Sequence, residues 1–117
     1  MKIGILYDPY QKGYARFGSA CFETIRRHGF SAIDFNMADT ETPLYALNDA
    51  EFEKHLLAIR ADVAGSGLVV SQVHGPWRSP RDSTEALRRE RMEKMKKSIW
   101  AARLLGCRYW VIHPIMP

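Results

Sequence analysis

Short apolar runs of period two and longer stretches of period near 3.6 take turns along the chain. Ile3 to Tyr7 reads as a strand that stops at Asp8-Pro9, a turn signal. Phe17, Cys21 and Ile25 recur every fourth residue and predict one helix from about Ala15 to Arg27, with Gly29 as its stop. In Ala32 to Asn36 the alternation puts Ile33 and Phe35 on one side and Asp34 and Asn36 on the other. A long loop, Met37 to Leu47, follows, and its length points to a functional loop over a site. Asn48 with Glu51 three residues on is a capping box, and Phe52, Leu56, Ile59 and Val63 then trace an amphipathic helix. Leu68 to Val73 is apolar on both parities except at Ser71 and Gln72, as in a parallel strand covered on both faces. Asp82 with Glu85 predicts the start of a third helix, whose buried face runs through Leu87, Met95, Ile99 and Ala102 until Gly106 stops it. Tyr109 to Ile112 is a fourth strand, ending at His113-Pro114.

The order is βαβαβαβ, and each crossover is long enough to bring the next strand back parallel. The expected fold class is therefore α/β, in one partial β/α-barrel domain over residues 1–117. It amounts to the first four strands of an eight-unit barrel, which typically takes ~250 residues. Three readings stay open: a fragment of a longer protein, a half barrel completed by a second copy, or a small open sheet.

Composition narrows this little. At 46% hydrophobic the chain has material for a real core. No apolar run approaches the ~20 residues of a membrane helix, and the N-terminus lacks the character of a signal peptide. Cys21 and Cys107 stand at no motif spacing and read as small thiols in a reducing cytosol, so a cytoplasmic protein is expected. The net charge of +4 is uneven: residues 78–108 hold ten Lys and Arg against four Asp and Glu, a net of +6. That excess is either a solvated outer helix face or an attraction to phosphate.

The chemistry lies at the strand ends. Val69 to Val73 runs into His74-Gly75-Pro76-Trp77, and Trp110 to Ile112 runs into His113-Pro114. Both histidines stand at carboxyl ends of neighbouring strands, where parallel α/β proteins collect ligands and catalytic groups. They are candidate metal ligands, proton carriers or substrate partners, and each could equally be a structural hydrogen-bonding residue. Asp8, Asp34 and Asn36 lie near the same edge. Trp77 either stacks on a sugar ring or base, or caps the core. A phosphate-binding glycine loop, a serine nucleophile elbow and a zinc-spaced cysteine pair are all absent, which removes the classes that need them.

Strand-His74-Gly75-Pro76-Trp77, then Asp82-Ser83-Thr84, then the helix Met95 to Cys107, then Trp110-Val111-Ile112-His113-Pro114 resembles the sugar phosphate isomerase/epimerase superfamily, xylose-isomerase-like TIM barrels akin to zinc-dependent abasic-site endonucleases. The resemblance spans residues 68–114 most clearly. It implies a divalent metal, Zn, Mn or Mg, and metal-assisted proton transfer at a sugar carbon next to a carbonyl. It implies a substrate pocket including His74, Trp77, His113 and Asn36, with His74 and His113 as metal ligands in the endonuclease branch. In the family the main metal ligands and catalytic glutamates come from strands five to eight. No catalytic residue is thus assignable within this chain, which alone is expected to be inactive. The implied partners are a small-molecule sugar or sugar phosphate and a second half of the barrel or a second copy; no membrane is expected, and a nucleic acid only under the endonuclease-like alternative. The alternatives are an endonuclease-like relative or a non-catalytic half barrel that serves association.

Overall fold

A computed structural model describes residues 2–8 and 13–114. The Asp8-Pro9 turn lies partly outside them. Four strands, β1 (Gly4–Tyr7), β2 (Ala32–Asn36), β3 (Val69–His74) and β4 (Trp110–Val111), form one sheet in the order β1-β2-β3-β4, every pair parallel. The α/β class and the parallel sheet are as expected. Right-handed crossovers between strands that advance in one direction put all helices on one face. Among the described residues no helix covers the other face of the sheet, hereafter the bare face, and Leu6 on it is 60% exposed.

The helices are α1 (Tyr14–Phe17), α2 (Ala20–Arg27), α3 (Asp49–Gly65) and α4 (Glu85–Leu104). The single first helix expected over Ala15 to Arg27 is broken, because Gly18 takes a positive φ of 56° and ends α1. As a result Phe17 is 53% exposed, and Phe22 rather than Phe17 fills the core beside Cys21. Helix α3 is as read: Asn48 Oδ1 accepts the Glu51 N–H at 2.9 Å, and Phe52, Leu56, Ile59 and Val63 are all buried. Helix α4 starts later than expected. Its cap is Thr84, whose hydroxyl accepts the Leu87 N–H, not Asp82. Its buried face is also rotated: Arg91, Ser98, Ala101, Ala102 and Leu104 are inside, while Ile99 is 49% exposed.

The polar Ser98 is inside because two hydrogen bonds hold it there. Its hydroxyl donates to Met95 O at 2.8 Å and accepts the Trp110 indole N–H at 2.9 Å, pinning β4 to α4. Ser98→Ala leaves that indole donor without its partner and is expected to cost about 1–3 kcal/mol, read as a lower denaturant midpoint. An unchanged midpoint would show that the contact carries no stability.

Strand β3 departs from the sequence reading in an informative way. Val69 pairs with Ala32 and Val70 with Ile33, but Gln72 then pairs with Asp34, Val73 with Phe35 and His74 with Asn36. Ser71 is an extra residue, a β-bulge, and its hydroxyl donates to Ile33 O at 2.9 Å. The bulge keeps Val70 and Val73 both on the helix side and turns Gln72 and His74 onto the bare face. The strand is apolar on both parities for this reason, not because both its faces are covered; Val69 is 53% exposed.

Candidate functional site

The bare face carries Leu6, Asp34, Asn36, Gln72, His74, Val111 and His113, by register and alternation from the paired strands. His74 and His113 meet there, as their strand-end positions suggested. Their rings stack with centroids 5.4 Å apart and planes 20° from parallel. Trp77 also packs against His113, with centroids 4.5 Å apart. It is 55% exposed, so it borders the site and does not cap the core.

Asp34 holds the group together. Its Oδ1 sits 2.8 Å from His74 Nδ1, and its Oδ2 accepts the Gln72 side-chain N–H at 2.6 Å. Both side chains of the Asp34–His74 pair are largely buried, at 16% and 21% exposed. Sequence reading placed Asp34 near the edge but missed Gln72 altogether. Only the bulge at Ser71 brings Gln72 to this face, and the residue letters alone gave no sign of it. Asn36 is adjacent to His74 in register, but its Oδ1 is used locally, accepting the Ala38 N–H at 2.9 Å. Asp8 stands apart, at the end of β1. With Asn36 and the apolar Leu6, Phe17 and Ile25 it lines a hollow of about 690 Å³ between β1 and the α1–α2 pair.

Two backbone details fix His113. The Gly75 N–H donates to Val111 O at 2.9 Å. A Cβ on Gly75 would meet the Trp110 indole at 2.5 Å, so glycine here is a close approach and not merely a turn former. Burial, then the neighbouring His74, lowers the His113 pKa and keeps the ring neutral at pH 7. Its Nε2 is buried and has no hydrogen-bond partner among the described residues.

Burial also lowers the His55 pKa on α3. Both groups bind fewer protons when folded than when unfolded. Their effect on stability is therefore nil above the unfolded value of ~6.5 and destabilising as pH falls through it. The thermal midpoint is expected to drop between pH 7.5 and pH 5.5, and to drop less in a His55→Gln, His113→Gln double variant. Equal slopes for the two proteins would refute this.

Among the described residues no group of three or more His, Cys, Asp or Glu side chains is arranged to hold a metal ion. His74 has Nδ1 engaged and offers Nε2; the His113 Nε2 has no partner among the described residues but is closed to solvent as the ring stands. Two imidazole donors fit half of a zinc set, and the remainder would have to come from elsewhere.

Four basic side chains of α4 are engaged within the fold. Lys94 pairs with Glu90 at 2.5 Å and donates to Thr40 O at 2.8 Å; Lys97 donates to Tyr45 O and Leu47 O. Lys96 pairs with Glu93, and Arg89 with Glu85. The first two lysines clamp the 37–47 loop, which tucks Leu44 into the core and joins the site through Met37 N–H donating to His74 O and Trp77 N–H donating to Ala38 O. That loop is thus a packed wall of the site. Both cysteines are free thiols, Cys21 buried and Cys107 half-buried. No helix of the described residues is long and apolar enough to cross a membrane.

Comparison with models of protein families, with curated proteins and with solved structures finds no match.

Proposed function

We propose that this chain forms half of the mouth of a sugar or sugar phosphate isomerase or epimerase. The observation that carries the reading is the Asp34–His74–His113–Trp77 assembly, set at the carboxyl ends of parallel strands on the one face no helix covers. An aromatic ring beside two imidazoles suits a polyol, with a flat apolar wall for C–H groups and ring nitrogens for hydroxyls and protons. His74 holds or moves a proton at Nε2. The electron pair of the broken C–H bond goes to the carbonyl oxygen, and the proton's return to the same or the adjacent carbon gives an epimer or an isomer. A divalent cation, when bound, would polarise the sugar oxygens, with His113 supplying a ligand; His74 would be a second ligand only in a protein where its Nε2 is not the base, since that lone pair cannot serve both.

A parallel sheet is stable with both faces covered. Four further strands, from a longer chain or from a second copy, would cover this face and complete a barrel of eight. Four of the ten cations in residues 78–108 are committed to carboxylates and carbonyls, which weakens the case for a nucleic-acid ligand.

The test is solvent deuterium wash-in. The protein is incubated in D₂O with zinc, manganese or magnesium and a panel of free and phosphorylated aldoses and ketoses, and the carbon next to the carbonyl is followed by proton NMR. Metal-dependent loss of that proton is expected for one sugar class, from a species large enough to hold eight strands. A 13.4 kDa monomer is expected to be silent. An eight-strand assembly that exchanges no sugar proton with any of the metals would overturn the reading.

A further inference from the structure

We infer that Asp34 is a positioning residue, which fixes His74 in the tautomer protonated at Nδ1 and presents its Nε2 lone pair to the bare face. An ionised carboxylate only accepts hydrogen bonds, so the 2.8 Å contact between Asp34 Oδ1 and His74 Nδ1 requires the proton on that nitrogen. Asp34 cannot swing away to relax this demand. Its second oxygen is held by the Gln72 amide at 2.6 Å, and Gln72 comes from the same strand as His74, two residues earlier. The bulge at Ser71 is what puts both donors opposite Asp34. In an unbroken register Asp34 would face Ser71, and Gln72 and His74 would project toward the helices. The irregularity in β3 thus has a chemical consequence: it builds a three-residue chain, Gln72 to Asp34 to His74, that ends in one available basic nitrogen. His74 Nε2 makes no hydrogen bond among the described residues.

The same chain predicts what a neutral, isosteric side chain would do. Asp34→Leu keeps the volume and removes every acceptor from that position; Asn would not serve, because the Gln72 amide can flip and let an Asn carbonyl go on accepting the Nδ1 proton. With no acceptor at Nδ1, nothing holds the proton there and the neutral ring moves to the form protonated at Nε2. The tautomer inverts with little change of shape. If the ring transfers protons, the inverted form has lost its lone pair on the reacting side, as expected when a group that orients a histidine is lost.

The inference rests on the proposed isomerase reading only for its use, and the test separates the two. The tautomer of His74 is read by long-range ¹H–¹⁵N correlation on ¹⁵N-histidine-labelled protein, at a pH where the ring is neutral, and assigned with His74→Gln. The expected result is Nδ1–H in the wild type and Nε2–H in Asp34→Leu, with the thermal midpoint moving by only a few degrees. A purely structural role for Asp34 would move the midpoint and not the tautomer. Where deuterium wash-in is measurable, the variant should slow it by about 10–100-fold. Wild-type His74 in the Nε2–H form overturns the inference, even if the variant fails to fold. So does an Asp34→Leu protein that keeps Nδ1–H. Absence of any sugar chemistry alongside the expected tautomers removes the isomerase reading and leaves the positioning role standing.

Discussion

His74→Ala is expected to slow sugar-proton exchange by at least about 10²-fold, the usual lower bound for removing a positioned proton carrier. The change takes away the Nε2 base and its stacking partner on His113 together. It also leaves Asp34 with a carboxylate oxygen that has lost its ring donor. His113→Ala should be the milder of the two in exchange, because that ring has no carboxylate to offset a positive charge and burial keeps it neutral. Its signature should be weaker metal or sugar binding, through the Nε2 that has no partner within the described residues. Titration with zinc and with the responsive sugar, beside the exchange rate, separates the two roles. If both variants keep full exchange and full metal content in an eight-strand assembly, the strand-end histidines are structural and the site lies elsewhere.

What the sequence made legible was what repeats. The α3 stripe of Phe52, Leu56, Ile59 and Val63 and its Asn48 cap were read correctly, because a one-sided helix against a sheet leaves a clean 3.6 period. The two strand-end histidines were legible from position alone. Three other features followed from interactions that hydropathy cannot see. Gly18 broke the first helix through a backbone angle, and so Phe17 left the stripe it matched by spacing. Ser98 displaced Ile99 from the interior of α4 because an indole N–H needed an acceptor. One extra residue at Ser71 reversed the second half of β3, bringing Gln72 to the site and leaving the first half of the strand partly exposed. In each case a local hydrogen bond or dihedral outweighed the apolar pattern. Two of the three, Ser98 through Trp110 and Ser71 through His74, are the devices that place the site histidines.

The largest loss of stability is expected from Phe52→Ala. Phe52 is fully buried where α3 meets α4, its ring 5.2 Å from that of Trp100 and under the Lys97 ammonium at 4.9 Å. Truncation to alanine removes the transfer energy of the ring and leaves a cavity that two rigid helices close poorly, together about 3–5 kcal/mol. Lys97 would suffer indirectly. It reaches over that ring to hold the Tyr45 and Leu47 carbonyls, so the 37–47 loop loosens with it. Against a total stability on the order of 5–15 kcal/mol, this loss removes much of the margin. At roughly 4 °C or more per kcal/mol, the thermal midpoint should fall by more than about 10 °C. Phe17→Ala is the matched control: the same deletion at a half-exposed ring, on a helix that by spacing alone would bury it, should stay within about 0.5 kcal/mol. Equal losses for the two phenylalanines would mean that Phe17 is covered in solution. The face beside β1 would then already be occupied, as a closed barrel requires.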